Sequence, residues 1–144
     1  MRALLDINVL IALLDPDHVF HDRAHGWWEG QLKSGWASCP LTENGVVRIM
    51  SNPAYSRRSK FRPGDLIERL DHFARQSDHE FWCDDVSLRD HTAFLRQHLH
   101  SSRAITDVYL LALTVRHHGF LATFDEAIVI STVPGAVRAN LSVI

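Results

Sequence analysis

The chain has 144 residues and a formal net charge of −2; 46% of its residues are hydrophobic and 22% are charged. This composition predicts one globular domain over residues 1–144, and it excludes a disordered chain and a strongly basic protein. Cys39 and Cys83 stand alone in apolar stretches, without the CxxC spacing of a zinc site. We therefore expect buried, reduced thiols and a cytoplasmic protein, and no membrane association because no apolar run reaches spanning length.

The first third of the chain predicts a strand and two helices. Ala3–Leu5 is a short apolar run that fits a buried strand. Asn8–Leu14 is apolar enough for a buried helix, which Asp15-Pro16 would stop. Apolar residues recur at helical spacing across Val19–Leu32, and Gly35 supplies the end of this second helix.

The middle of the chain predicts a strand and two more helices. Residues 35–40 fit a strand, after which Thr42 can cap a helix that runs to Met50. Residues 51–64 contain two prolines and a glycine, which is typical of an exposed connection. The next helix is marked by Leu66, Ile67, Leu70 and Phe73.

The last part of the chain predicts three strands and two helices. The strands cover residues 80–83, 120–123 and, at an edge of the sheet, 141–144. Ser87 to Asp90 resemble a capping signal for a helix that carries Phe94, Leu95 and Leu99. Thr106 would start a nearly all-apolar helix that ends at Gly119. Because strands alternate with helices, we expect a three-layer α/β/α fold around a mainly parallel sheet of four to five strands.

Four acidic residues lie where this fold would bring them to one place. Asp6 follows the first strand, Glu43 follows the second, Asp107 begins the buried helix and Asp125 follows the strand at 120–123. Ligands of open parallel sheets bind outside the carboxyl ends of the strands. Glu43 and Asp107 alone also fit helix first turns and Asp125 alone fits a turn, whereas Asp6 between two apolar segments is harder to explain in this way. Their common edge favours one site.

Clustered carboxylates repel one another, and a divalent cation removes that repulsion. Oxygen ligands without Cys or His suit Mg²⁺, with Mn²⁺ as a possible substitute, and such a metal activates water for phosphodiester hydrolysis. Asn8 could support a carboxylate or a water near Asp6, and Thr123 could do the same beside Asp125.

Four segments carry a family resemblance: LLDINVLIALLD, LTENGVVRIM, ITDVYLLALTVRHHG and LATFDEAI. In order and spacing they resemble the motifs of PIN-domain proteins, and of the VapC-type toxins of bacterial toxin–antitoxin pairs in particular. The resemblance implies a PIN-like fold and a metal-dependent endoribonuclease that acts on RNA. It also implies a homodimer that a cognate antitoxin protein inhibits, and products with a 5′-phosphate and a 3′-hydroxyl.

The same resemblance assigns residues. The acidic ligands of the family fall on Asp6, Glu43, Asp107 and Asp125, so every acidic position of the motif is filled. Asn8 matches the residue that supports the first aspartate, and Thr123 matches the frequent Ser or Thr before the last acid.

A basic cluster lies in the exposed connection. It consists of Arg57, Arg58, Lys60 and Arg62, with Phe61 among them. Basic residues next to an aromatic side chain suit an RNA backbone, and a solvated loop explains them equally well.

Histidines and tryptophans offer other interpretations. His18, His21 and His25 would share one side of a helix and could bind a transition metal, although solvated surface histidines are the simpler interpretation. Trp27 and Trp28 could stack on bases, but the helical spacing favours at least one of them in the core.

Two other functions fit parts of the sequence. Asp6-x-Asn8 is similar to the DxD motif of haloacid-dehalogenase-type phosphatases, but Asn8 cannot supply the second acid. A PIN-like module that binds RNA or protein without catalysis is also possible, and the intact acids disfavour it.

Overall fold

The computed structural model describes all residues, 1–144, and its centre is a five-stranded sheet in which every strand pair is parallel. The strands are β1 (Ala3–Leu5), β2 (Trp36–Ser38), β3 (His79–Phe81), β4 (Phe120–Thr123) and β5 (Leu141–Val143). Their order across the sheet is β3-β2-β1-β4-β5, so the predicted C-terminal edge strand is confirmed. Because all strands run the same way, their carboxyl ends share one edge.

Helices and irregular segments cover both faces of this sheet. The helices are α1 (Ile7–Leu14), α2 (His21–Gln31), α3 (Pro40–Met50), α4 (Pro63–Arg75) and α5 (Ile105–Arg116). One core cluster joins α1 to α4 to the sheet, and the other joins α5 and the segments around Phe94 and Val133 to the opposite face. The predicted three-layer α/β/α fold is confirmed. None of the helices is long and apolar enough to cross a membrane.

The central strand β1 is buried on both faces. Ala3 and Leu5 belong to the cluster under α1 to α4, whereas Leu4 belongs to the cluster under α5. All three side chains are fully buried, which is why this strand is a continuous apolar run. The backbone N–H of Asp6 donates to the carbonyl of Ala122 on β4, so the chain leaves the sheet at Asp6.

The predicted helix after Ser87 is wrong. The segment contains turns and a 3₁₀ turn at Arg96–His98. The Asp90 carboxylate accepts hydrogen bonds from the N–H and the hydroxyl of Thr92, and such local side-chain bonds compete with helix formation. The N–H of Leu95 then donates to the carbonyl of Thr132, which ties the segment to a distant part of the chain.

Two helix ends also differ from the prediction. Thr42 is not the N-cap of α3, because the helix begins at Pro40 and the Thr42 hydroxyl accepts a hydrogen bond from the N–H of Cys39. After α5 the left-handed residue is His118, with φ 55°, and not Gly119. Gly119 is required for another reason: a Cβ there would lie 2.6 Å from the carbonyl oxygen of Arg2.

The two cysteines have different surroundings. Both are free, and Cys39 is buried, which raises the pKa of its thiol to about 11. Cys83 is exposed, because it follows the point where the chain leaves β3, so the expectation that both thiols are buried is wrong for this residue.

Candidate active site

Asp6 is held by both of its carboxylate oxygens at the junction of β1 and α1. It is the N-cap of α1: Oδ1 accepts from the N–H of Ile7 at 2.6 Å, and Oδ2 accepts from the hydroxyl of Thr123 at 2.8 Å. The side chain is buried, with the residue only 4% exposed. A carboxylate is favourable at a helix N-terminus, which explains how the sequence can place one inside an apolar run.

Thr123 connects Asp6 to Asp125. Its hydroxyl donates to Asp6 and accepts from the backbone N–H of Asp125 at 3.0 Å. Asp125 is exposed just beyond β4, and its Oδ1 accepts from the N–H of Ala127 at 2.7 Å. A single buried hydroxyl at the end of β4 therefore fixes the relative positions of two of the predicted acids.

Asp107 comes from the other side of the sequence, in the first turn of α5. The helix starts at Ile105, one residue before the predicted Thr106, because a 3₁₀ turn at Ser102–Ala104 leads directly into it. The charges that act most on Asp107 are those of Asp6 and Asp125. The structure thus brings together three of the four predicted acids, from three separate elements.

Electrostatics shows that these carboxylates are poorly compensated. Burial raises the pKa of Asp6, against the hydrogen bonds from Thr123 and Ile7, and the charge of Asp125 adds to the increase. Burial and the charges of Asp6 and Asp125 raise the pKa of Asp107 to about 7. None of the three acids forms an ion pair with Lys, Arg or His.

The donor set fits a divalent cation. All the groups are hard oxygen ligands, and a cation between them would relieve the repulsion that raises the pKa of Asp107. The side chains do not form a closed cage, since no group of three His, Cys, Asp or Glu is arranged to hold an ion by itself. An open arrangement is the one expected for Mg²⁺, which keeps several waters and binds substrate phosphate.

Glu43 is held by side chains other than those that hold the three aspartates. Its Oε1 accepts from the hydroxyl of Ser38 at 2.6 Å, and that hydroxyl also lies 2.8 Å from Nε2 of His79. Ser38 and His79 lie on the face of the sheet covered by α1 to α4, together with Trp36. Burial lowers the pKa of His79, and the nearby charge of Glu43 opposes this shift. Glu43 contributes to neither pKa shift in the aspartate group.

The side chain of Asn8 is not bonded to the carboxylates. Asn8 is exposed in the first turn of α1, and its side chain forms no hydrogen bond to Asp6 or to any other group. Thr123, the other residue for which the sequence predicts a supporting role, donates to the carboxylate of Asp6 and accepts from the backbone N–H of Asp125.

The basic cluster lies at the opposite end of α1. The hydroxyl of Tyr55 donates to Oδ2 of Asp15, the residue that ends α1, so this connection is anchored about 12 Å of helix away from Asp6. Its cations are exposed and none is in an ion pair; they are Arg57, Arg58, Lys60 and Arg62.

The histidines of α2 and one of its tryptophans have structural roles. Nδ1 of His21 lies 2.7 Å from the carbonyl oxygen of Ala12, and Nε2 of His25 lies 3.2 Å from that of Leu13. These histidines satisfy the last carbonyls of α1, and with His18 they form no metal-binding group. Trp28 is buried, so the expectation of at least one core tryptophan is confirmed.

Sequence reasoning missed three side chains that line a cavity together with two of the aspartates. A cavity of about 400 Å³ is lined by Asp107 and Asp125 and also by His98, His100 and Arg103. The sequence places these three residues just before Asp107. The segment is irregular, however, and has no helical or strand periodicity that predicts where its side chains lie.

Comparison with known proteins decides the family. The family model described as PIN domain matches residues 3–132. The chain belongs to the PIN domain family. It is 50% identical over 143 residues to ribonuclease VapC44 of Mycobacterium tuberculosis, covering 99% of both chains. It is 42% identical to ribonuclease VapC39 of the same organism, covering 96% of this chain and 99% of the relative. The assignment to the VapC type is therefore confirmed.

A solved structure supports the fold of this PIN domain. The crystal structure of VapBC2 from Rickettsia felis, bound to a DNA fragment from its promoter, contains a chain that matches with a TM-score of 0.62 at 14% identity. The match covers 99% of this chain and 98% of that one. The architecture is thus shared over the whole length, although the sequences have diverged widely.

Proposed function

We propose that this PIN domain is a divalent-metal-dependent endoribonuclease and the toxin of a toxin–antitoxin pair. The observation that supports this most is the meeting of Asp6, Asp107 and Asp125 at the carboxyl edge of the sheet without an ion pair to any of them. Its relatives include VapC ribonucleases that match over nearly the full length. A phosphatase of the haloacid-dehalogenase type is disfavoured because the family model is that of PIN domains.

The three aspartates would hold Mg²⁺ or Mn²⁺, which supplies charge stabilisation and an acidified water for attack on a phosphodiester. The residues around the aspartates hold the three carboxylates in position. The hydrogen bonds from Ile7 and Thr123 favour the ionised form of Asp6 and fix its orientation. Thr123 also fixes the start of the turn that carries Asp125, and the first turn of α5 presents Asp107.

We assign Glu43 a role other than direct metal binding. The sequence motif puts it among the metal ligands, but its carboxylate is engaged by Ser38 next to His79. We propose that Glu43 acts on the aspartate site indirectly, by fixing the start of α3 beside the end of β2.

RNA cleavage in cells is the first test, because the RNA substrate need not be known beforehand. Expression in a bacterial host, followed by mapping of RNA 5′ ends, is expected to produce new 5′-phosphate ends at a limited set of sites and to inhibit growth. With purified protein and an RNA that contains such a site, EDTA should abolish cleavage, and adding back Mg²⁺ or Mn²⁺ separately identifies the active metal. Cleavage that survives EDTA, or the absence of new ends in cells, would contradict the proposal. The absence of new RNA ends in cells would favour a binding module without catalysis.

The basic cluster is proposed as an RNA-backbone contact outside the aspartate site. Replacing Arg57, Arg58 and Lys60 together by alanine should weaken RNA binding and reduce the slope of log affinity against log salt by roughly 2, as expected for lost phosphate contacts to a single strand. Fluorescence anisotropy at several salt concentrations measures both quantities. The matched control replaces Lys33, Arg89 and Arg138, which are exposed and form no ion pair. An unchanged salt slope in the test variant would reject the contact.

Two partners complete the proposal. A cognate antitoxin is expected, and a small neighbouring gene for a DNA-binding protein is the place to look for it. The protein is also proposed to form a homodimer, which light scattering of the purified chain would measure.

A further inference from the structure

A cavity lies beside the aspartate site, and most of its lining takes no part in the proposed metal binding. Its volume is about 400 Å³, and it opens between the segment around residues 98–104 and the segment around residues 125–132. Asp107 and Asp125 form part of its wall, so anything bound there lies next to the proposed metal site. The volume falls within the range of small-ligand pockets.

One part of this cavity is apolar. Leu99, Ile128 and Val129 line it, and the Val129 side chain is left 56% exposed. Large apolar side chains lose favourable burial when they face water, so Val129 gains from a flat apolar ligand. The faces of nucleobases are such ligands and pack on apolar or aromatic side chains in proteins that bind single strands.

The other part of the cavity is polar and contains one guanidinium group. Arg103 lines it together with His98 and His100, and none of these side chains has a hydrogen bond or an ion pair within the protein. The Arg103 guanidinium lines the same cavity as two of the carboxylates that would bind the metal. Its planar fork of N–H groups can therefore bind a phosphate oxygen of a substrate at that site. The cavity thus combines a surface for a base with a donor for a phosphate.

The walls of the cavity are tied together and to Asp125. The N–H of Leu95 donates to the carbonyl of Thr132 at 2.9 Å, which joins the two segments. The hydroxyl of Ser101 accepts from the N–H of Arg103 at 3.2 Å, and Asp125 accepts from the N–H of Ala127. These bonds fix where Arg103 and residues 127–129 lie relative to the proposed metal site.

We propose that this cavity binds the nucleotide next to the scissile phosphodiester, with the base against Leu99, Ile128 and Val129 and a phosphate on Arg103. The inference rests on the proposed ribonuclease function and adds to it a binding site for one nucleotide of the substrate. A base inside a duplex is stacked and paired and cannot enter such a cavity. Arg103 and Val129 are therefore residues that position the substrate and determine its specificity.

The chain offers closely matched control positions. Val137 is 59% exposed, against 56% for Val129, and lies outside the cavity. Arg138 is exposed in a 3₁₀ turn, as Arg103 is, and also lies outside it. The test variants are Val129→Trp, which fills the cavity, and Arg103→Gln; the controls are Val137→Trp and Arg138→Gln. All four changes are at exposed side chains, so we expect the variants to fold.

The direct test is a binding measurement that does not depend on catalysis. Full-length protein in EDTA is titrated with each of the four 5′-nucleoside monophosphates, and the methyl resonances of Leu99, Ile128 and Val129 are followed by NMR. We expect saturable shifts at these methyl groups for at least one nucleotide. Arg103→Gln should weaken this binding at least tenfold and Val129→Trp should abolish it, while both controls bind like the wild type. Absent shifts, or equal losses in the controls, would overturn the inference.

A second measurement tests specificity. Val129→Trp should change the preference, as the ratio of kcat/KM values, between RNAs that differ at one nucleotide beside the cleaved bond, and Val137→Trp should not. An unchanged ratio in Val129→Trp would count against the cavity as a specificity site. A wild-type protein that binds nucleotides in the cavity but never cleaves RNA would refute the proposed function alone. Cleavage without any shift of the cavity methyl groups would refute this inference alone.

Discussion

Replacing Asp6 by asparagine is expected to reduce RNA cleavage by at least roughly a hundredfold while the protein stays folded. Asparagine has the same shape, and its amide group can still accept from the N–H of Ile7 and donate to the hydroxyl of Thr123. The variant therefore keeps the contacts that hold the residue at the end of β1. What it loses is the charge that would bind the metal.

The same variant should be no less stable than the wild type when metal is absent. Burial raises the pKa values of Asp6 and Asp107, and like charges add to both increases: that of Asp125 acts on Asp6, and those of Asp6 and Asp125 act on Asp107. Removing one charge relieves that repulsion, so a loss of activity without a loss of stability separates a metal-binding role from a structural one. Circular dichroism and urea unfolding in EDTA measure the stability, and Mn²⁺ titration followed by electron paramagnetic resonance measures metal binding.

Glu43→Gln is the informative comparison. Because the Glu43 carboxylate accepts from Ser38 and lies near His79, we expect this change to leave Mn²⁺ affinity within about threefold of the wild type. Its effect on cleavage should be clearly smaller than that of Asp6→Asn. A Glu43→Gln protein that loses Mn²⁺ binding as completely as Asp6→Asn would instead place Glu43 among the ligands, as the sequence motif predicts. Asp6→Asn with the wild-type cleavage rate would refute the aspartate site altogether.

The sequence predicted the part of the site that local structure determines. Asp6 interrupts an apolar run at a strand end, and at such a junction a buried carboxylate can cap the following helix, α1. Thr123 and Asp125 are two residues apart at the end of β4, so their contact follows from local geometry. The parallel order of the strands then brings Asp107 to the same edge, because α5 leads into β4.

Side-chain contacts between distant residues could not be predicted in this way. The direction of Glu43 is set by Ser38 and by His79, which are 41 residues apart in sequence. The helix expected after Ser87 is replaced by turns because the competing bonds to Asp90 and the link from Leu95 to Thr132 depend on the folded chain. The cavity with Arg103 is built from two such irregular segments, which carry no periodic signal.

The stability of the metal-free protein should depend on pH through Asp107. In the folded state the pKa of Asp107 is raised from 3.8 to about 7, so between these values the folded protein binds more protons than the unfolded chain. The free energy of unfolding therefore falls as the pH rises through this range. Asp107→Asn removes the titrating group. Relative to the wild type, the variant should be equally stable near pH 4 and more stable by roughly 1 to 3 kcal/mol above pH 7, less than the full shift would give because the carboxyl is partly open to solvent.

Urea unfolding of both proteins in EDTA at several values between pH 4 and pH 8 measures this difference, and Glu29→Gln, an exposed change in α2, is the control. Adding Mn²⁺ should reverse the order above pH 7, because the metal binds the folded wild type and stabilises it by mass action, whereas the variant has lost a ligand. A stability difference that stays constant from pH 4 to pH 8 would show that repulsion among the aspartates is absent. The site would then have no need of a cation, and the physical basis for assigning metal to Asp6, Asp107 and Asp125 would be lost.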